Sequence, residues 1–415
     1  MITAKIRNRF PLLVNSGFAT VTAASAVLLL VLLMVAGRFL DAADYGRFSF
    51  ALALTTIIET IMDVGLSQVT ARAVARQKET AAQLFRHALG LKLVWVAGAL
   101  LLLVVITPIL RSDPVVIRIT YFLGISAAVR SYLLTARGLF QGLDRFDLEA
   151  VAVVADRLLL LILGAAALWA GYGLTGLALA FVAARLLMLF VVGALVRPAV
   201  GAVRPEFDRV AWRGLQSSAL PLGFFMLALN MYTYIDTVIL GIMRSNAETG
   251  WYSAAYRIYE GLTYAPSVLA AVLTPKLSFL FVHDRSGHRG LLTRGLAGSA
   301  ALGVLVGGIT LWTAAPVVRI VFGESYAPAA APLRILAGGS LLVFSTWILH
   351  AAAISINLDR RLFVTTTIGL SVNVALNVLL IPRWGIEGAA WATVLAEAVT
   401  VALLGAQVRQ RLRRT

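Results

Sequence analysis

Apolar positions along this chain gather into windows of roughly twenty residues, and short polar stretches between them carry most of the charge. That length suits a membrane-spanning helix, whereas a barrel strand needs only about 9–11 residues of alternating polarity. Twelve windows qualify: 14–38, 48–69, 88–110, 115–137, 150–170, 174–196, 217–243, 251–273, 292–313, 329–353, 362–381 and 386–406. The second, fourth and eighth are the least apolar. The pattern predicts an all-α integral membrane protein with about twelve transmembrane helices. Lys5, Arg7 and Arg9 precede the first window, as they would in a signal peptide. The run from Leu13 to Leu40 exceeds the 7–15-residue apolar core of such a signal, and is read as a retained first span.

Composition agrees with the pattern. Of 415 residues, 60% are hydrophobic and 13% charged, about half the charged share of a soluble domain. Mean hydropathy is +0.87. The net charge of +16 would suit a nucleic-acid binder, but its placement points elsewhere. With twelve spans both termini share one side. That side collects 23 of the Lys and Arg residues, including Arg72, Arg76, Lys78, Arg289, Arg409 and Arg413, against 6 opposite. Excess Lys and Arg in short loops marks the cytoplasmic face. The basic balance is therefore read as topology, with both termini cytoplasmic and no nucleic-acid partner. There is no Cys, which removes thiol nucleophiles, disulfides and thiolate metal sites. Neither a nucleotide-binding glycine loop followed by Lys nor a His-Glu-x-x-His spacing occurs, so no catalytic residue, metal or cofactor is expected.

Three pairs of segments recur at a spacing slightly above 200 residues. Gly46-Arg47-Phe48-Ser49-Phe50-Ala51 matches Gly250-Trp251-Tyr252-Ser253-Ala254-Ala255. Leu143-Asp144-Arg145 matches Leu358-Asp359-Arg360, and the segment opening at Gly173 matches the one opening at Gly385. The repeat predicts two six-helix lobes, 1–200 and 217–415, joined by a cytoplasmic linker at 201–216. Six spans per half make it a parallel repeat about an axis along the membrane normal, an arrangement known in transporters that rock about a central cavity.

The chain resembles the polysaccharide transporter family, the O-antigen type flippases of the superfamily that also holds multidrug extruders and lipid II flippases. The resemblance rests on Gly37-Arg38-Phe39-Leu40, Tyr45-Gly46-Arg47-Phe48-Ser49 and Asp63-Val64-Gly65-Leu66. Mid-chain it rests on Leu220-Pro221-Leu222, Ile235-Asp236-Thr237-Val238-Ile239-Leu240-Gly241 and Gly250 to Arg257. Near the end it rests on Asn373, Asn377 and Ile381 to Ala390. It implies a fold of two six-helix lobes around a central cavity, in the bacterial inner membrane. The implied cargo is an oligosaccharide on undecaprenyl pyrophosphate, moved to the outer leaflet for cell-surface polysaccharide synthesis. A multidrug or organic-cation antiporter of the same architecture is the alternative. A membrane polymerase or ligase is the third reading, though such enzymes carry a sizeable outer loop, and here the longest, about Ala314 to Pro328, is short.

Ionisable groups at membrane depth cost about 3 kcal/mol or more each, and face a cavity or a partner. The spans hold Lys92, Arg118, Arg130, Arg157, Arg185, Arg257 and Arg334 against Glu59, Asp63, Asp156, Asp236, Glu260 and Glu397. Arg suits a diphosphate because its planar fork donates paired hydrogen bonds. Arg130 is the first candidate for cargo binding. Arg118, about 120° away around the same helix, is expected at the rim, and Arg47 at the outer mouth. Arg257 is the other cationic candidate, and Glu260, one turn on, can meet it. Asn230 and Tyr234 either bind sugar hydroxyls or knit helices together. Asp63, Asp156, Asp236 and Glu260 either couple transport to a proton or sodium ion, or neutralise a neighbouring Arg; Asp156-Arg157 is one candidate pair. Lys92 is expected to snorkel to the cytoplasmic interface, and Arg185 and Glu397 to be structural. Pro221, Pro266 and Pro275 are candidate kinks. The topology is testable directly: green fluorescent protein fused after Thr415 should fluoresce, and alkaline phosphatase fused there should be inactive. Active phosphatase would invert the orientation.

Overall fold

The computed structural model describes residues 18, 21, 22, 24–201 and 204–414; Lys5, Arg7, Arg9 and the start of the first expected span lie outside them. The described residues form helices and no strand. Helix α1 is Ala26–Phe39, α2 Ala42–Asp63, α3 Leu66–Arg76, α4 Ala81–Leu110 and α5 Pro114–Gly142. Then come α6 Phe146–Trp169, α7 Gly173–Val200, α8 Arg209–Met243, α9 Asn246–His283 and α10 Arg285–Val321. A 3-10 turn, Glu324–Ala329, leads to α11 Ala330–Gly338, α12 Ser340–Ser355 and α13 Asp359–Arg414.

Among the described residues nine helices are long and apolar enough to cross a bilayer, or ten if a bent pair counts as one. This is fewer than twelve windows, for local reasons. The tenth window is split between α11 and α12, bent by 49° at Gly339. The last two windows fall in one 56-residue run that breaks at Gly385, with φ 54° and ψ −129°. Such a run unbroken would be about 84 Å long, far beyond a hydrocarbon core of about 30 Å. The first window is represented by the 14 residues of α1. Pro221, Pro266 and Pro275 lie inside α8 and α9 with no break recorded there. The interruptions fall instead at Val64-Gly65, Gly339 and Gly385.

The apolar side chains are arranged inside out relative to a soluble protein. Leu101, Ile109, Phe190, Trp312 and Ile320 are 66–88% exposed, as lipid-facing groups are. Span hydroxyls turn inward and donate to their own helix, as Thr55 does to Ala51 O and Thr107 to Leu103 O, so few polar atoms face lipid. This is a multi-pass membrane protein.

The chain forms two compact units. One holds the described residues up to Leu40 together with Ala51–Asn230; the other holds Asp41–Phe50 and Met231 onward. In the first unit α5 packs on α3, α4 and α7, α7 on α6, and α6 on α1. Its core gathers Phe85, Leu139, Phe140, Met188 and Val196. Segment Arg204–Asp208 stays on this unit: Glu206 N–H donates to Arg86 O, and Glu206 pairs with Arg86 at 2.9 Å. In the second unit α12 lies centrally against α9, α10 and α13. Arg244 caps the break before Gly385, donating to Ile381 O at 2.7 Å and Pro382 O at 2.8 Å. Those carbonyls lose their helical partners where the helix breaks.

Two short stretches sit with the opposite half of the sequence, and glycine explains both. The first turns of α2 cross those of α9 within the second unit. A Cβ on Gly46 would lie 1.8 Å from Asn246 O, and one on Gly250 would lie 1.9 Å from Ala42 O. The crossing is reciprocal, each glycine meeting the carbonyl four residues before the other, a small-residue contact of the kind that lets helix backbones touch. In the first unit a Cβ on Gly223 of α8 would meet Val64 O at 2.5 Å, and one on Gly65 would meet Ala219 O at 2.8 Å. Gly46→Val should therefore destabilise the protein by about 1–3 kcal/mol or more through overpacking. Gly98→Ala, where nothing lies within 4 Å, should be neutral or slightly stabilising, since Ala is the better helix former. Thermal unfolding of both variants in one detergent checks the contrast.

Candidate functional site

Of the thirteen expected intramembrane charges, eleven assemble into two clusters, one per unit, while Arg118 and Arg334 are exposed. In the first unit Glu59 and Asp63 lie one turn apart on α2 and each takes a cation. Arg130 Nη1 of α5 pairs with Glu59 Oε2 at 2.8 Å. Lys92 Nζ of α4 pairs with Asp63 Oδ1 at 2.6 Å and donates to Ser131 O at 2.7 Å, while Ser67 donates to the other Asp63 oxygen. The Lys92 side chain has no exposed surface, so it does not snorkel. Its stem points into the helix packing because a carboxylate waits there.

Deeper in the same unit Arg185 of α7 pairs with Asp156 of α6. Arg137 pairs with Glu149 at 2.9 Å, and Gln141 donates to the same oxygen. Asp156 and Arg157 therefore do not neutralise each other, since adjacent helical residues point in different directions. Arg157 Nε and Nη1 are buried without a hydrogen-bond partner. Five cations meet four carboxylates here. Each carboxylate has its cation, and Arg157 is the one left over. A narrow cleft between α5, α6 and α7 is lined by Arg130, Arg137, Arg157 and Arg185 with the single acid Asp156. Chemically, this is a guanidinium-lined cleft one negative charge short of balance.

The second cluster has the opposite imbalance. Asp236 of α8 is 2% exposed, and no cation pairs with it among the described residues. Its carboxylate accepts from neutral donors: Thr393 Oγ1 at 2.6 Å, Asn377 Nδ2 at 2.7 Å and Tyr252 Oη at 3.0 Å. Asn377 and Thr393 flank the Gly385 break, so the break brings two parts of α13 to one carboxylate. Asn377 Nδ2 also lies 3.1 Å from Asn373 Oδ1, and Asn377 Oδ1 is buried without a partner. Carboxylate, amide and hydroxyl oxygens together can hold a proton or a hard monovalent cation. Nearby, Arg257 pairs with Glu260 at 2.6 Å and lies 6.0 Å from the Tyr234 ring centroid, a cation–π approach. Tyr232 donates to Glu397 at 2.7 Å.

The remaining candidates lie apart from the first cluster's cleft. Arg47 pairs with Asp44 in the first turn of α2. Arg118 is near the start of α5, 3.5 Å from Thr175 Oγ1. Asn230 donates to Met226 O of its own helix. Arg157, Lys92, Asn373, Asn377, Tyr252 and Thr393 were not singled out as site residues from sequence. Charge at membrane depth was the available signal for the first two. Asn373, Asn377 and Tyr252 stood in the motifs that carry the resemblance, but only the fold, which places them and Thr393 around Asp236, joins them into a site.

Residues 14–281 match the model of the family described as "Polysaccharide biosynthesis protein", and the chain belongs to that family. It is 31% identical to the probable flippase AglR of Haloferax volcanii over 172 residues, 40% of this chain and 35% of that one. The alignment thus spans about a third of that relative's length. Among solved structures, a multidrug resistance MATE family transporter in an inward-facing conformation superposes with a TM-score of 0.79 at 13% identity, covering 94% of this chain and 95% of that one. The lipid II flippase MurJ in an inward closed conformation gives 0.75 at 15% identity, covering 94% and 87%. At these identities the likeness shows a shared fold.

The Lys92–Asp63 pair offers a direct test of the first cluster's energetics. Lys92→Met should destabilise the protein by about 3–5 kcal/mol by leaving a buried carboxylate unpaired. Adding Asp63→Leu should restore most of that loss. Denaturation of both variants in detergent checks the order.

Proposed function

We infer that the protein is a flippase that carries an oligosaccharide on a polyprenyl pyrophosphate from the cytoplasmic to the outer leaflet of a bacterial inner membrane. The observation that carries this reading is the leftover guanidinium of Arg157 in a cleft with Arg130, Arg137 and Arg185, within a chain of a polysaccharide biosynthesis family. An organic cation would gain nothing from such a lining. A diphosphate would, because each Arg fork can donate two parallel hydrogen bonds to phosphate oxygens. The polysaccharide family and the flippase name of the archaeal relative point to the same class of cargo.

In this reading the chain crosses the membrane twelve times as two six-helix lobes, 1–200 and 217–415, and both termini are cytoplasmic. Recurring backbone geometry supports the repeat. Gly173 and Gly385 open their matched segments with φ of 56° and 54°. Transport proceeds by alternating access. Asp236 is the coupling carboxylate. It takes up a proton or a monovalent cation as the cargo site changes sides, since a carboxylate with only neutral donors at membrane depth is stabilised by either. Asp63, Asp156 and Glu260 are held by Lys92, Arg185 and Arg257, and serve as counter-charges.

Reconstitution into proteoliposomes with a short-chain polyprenyl pyrophosphate oligosaccharide tests the reading. The native protein should translocate it. Arg157→Gln should slow translocation about 10- to 100-fold, the loss of one or two charge-assisted hydrogen bonds, and Arg157→Lys should recover part of the rate. Asp236→Asn should abolish dependence on an imposed ion gradient. Absence of translocation by folded, inserted protein, together with gradient-driven efflux of organic cations, would replace the flippase by the antiporter.

A further inference from the structure

A second cationic site lies away from both clusters, on the second unit. A groove of about 970 Å³ runs between α10, α12 and the last turns of α13. Its floor is apolar, formed by Leu292, Leu296, Leu349 and Val401, and its rim carries Arg289, Arg409 and Arg413 with no acidic residue in the lining. The volume falls in the range of small-molecule sites, about 300–1,000 Å³.

The level of the rim follows from the sequence. The apolar window of α10 opens at Leu292 and that of α13 closes near 406, so the three guanidiniums stand just outside the hydrocarbon limit on both helices. Arg289 Nη2 donates to Leu412 O and closes the wet end of the groove. A guanidinium has five N–H donors, so most of its capacity stays available. Arg409 and Arg413 are four residues apart on one helical face, where like charges repel. Both are exposed, and the described residues give neither an ion pair nor a hydrogen bond. Three cations over an apolar trough are thus gathered without a counter-charge among the described residues that line it.

We propose that this groove binds an anionic phospholipid, its phosphate held by Arg289, Arg409 and Arg413 and an acyl chain lying on Leu292, Leu296 and Leu349. The headgroup supplies the missing negative charge at the interface, and the chain covers the floor. A zwitterionic lipid fills the floor equally well but brings an ammonium into the rim. Basic pockets between transmembrane helices on the cytoplasmic side select anionic headgroups for this reason.

Native mass spectrometry of the purified full chain, titrated with phosphatidylglycerol or phosphatidylcholine, tests the site. The native protein should retain phosphatidylglycerol at least about tenfold more tightly. Arg289→Gln, Arg409→Gln and Arg413→Gln combined should remove that preference. Arg72→Gln with Arg76→Gln, which lowers charge elsewhere on the same face, should preserve it. Ala402→Trp, which fills the groove and leaves the charge unchanged, should weaken retention. Inorganic phosphate at millimolar concentration should not compete. Equal binding of the two lipids, equal loss in the Arg72/Arg76 variant, or displacement by inorganic phosphate would overturn the proposal. So would tighter retention of a polyprenyl phosphate at the same groove.

Discussion

A charge inside a bilayer must find a counter-charge within the protein, and much of this structure follows from that constraint. Lipid offers no hydrogen bonds at the depth where Glu59, Asp63, Asp156, Lys92, Arg130 and Arg185 sit, so each must be matched before its helix can pack. The pairs join helices that are distant in sequence: Lys92 to Asp63 ties α4 to α2, Arg130 to Glu59 ties α5 to α2, and Arg185 to Asp156 ties α7 to α6. Apolar packing alone selects partners weakly in lipid, where tails are as apolar as leucine. Directed pairs and close glycine contacts supply the selection, and the crossing of Gly46 with Gly250 is the second kind.

Against that background the imbalances stand out. Where four carboxylates each hold a cation, two buried nitrogens of the fifth cation, Arg157, have no hydrogen-bond partner among the described residues. Where Asp236 has only Thr393, Asn377 and Tyr252 as donors, a carboxylate lacks its cation. Among the described residues the buried cluster of one unit thus has a cation in excess, and that of the other has carboxylates, Asp236 and Glu397, held by neutral donors, two imbalances that the proposed function uses. The groove at Arg289, Arg409 and Arg413 differs in kind. Its charges lie at the interface, where water and lipid headgroups are within reach, and its deficit concerns the surrounding membrane rather than the cargo.

Helix breaks belong to the same physics. A broken helix exposes carbonyls that lipid cannot satisfy, so each break needs a partner. At Gly385 that partner is Arg244, which donates to Ile381 O and Pro382 O. The prolines, by contrast, pass through α8 and α9 without recorded breaks. Pro382 stands three residues before the Gly385 break, and glycine at positive φ marks the breaks at Gly65 and Gly385.

The membrane class, the helical fold and most of the buried charges were determined by sequence alone, because hydropathy is a local property and a twenty-residue apolar window has few other uses; Glu149 is buried without having been expected, and Arg118 and Arg334 are exposed. The family was legible in the same way, through short motifs in a fixed order. Partner choice was decided only by the tertiary structure. Arg157 follows Asp156 directly, yet Asp156 turns to Arg185, 29 residues away. Lys92 sits near a helix end that permits snorkelling, yet its ammonium is held inside by Asp63. Asn373, Asn377 and Tyr252 stand in motifs that carry the family resemblance, yet only the fold gathers them and Thr393 around Asp236. Side-chain direction and helix neighbours set those outcomes, and neither is written in the local sequence.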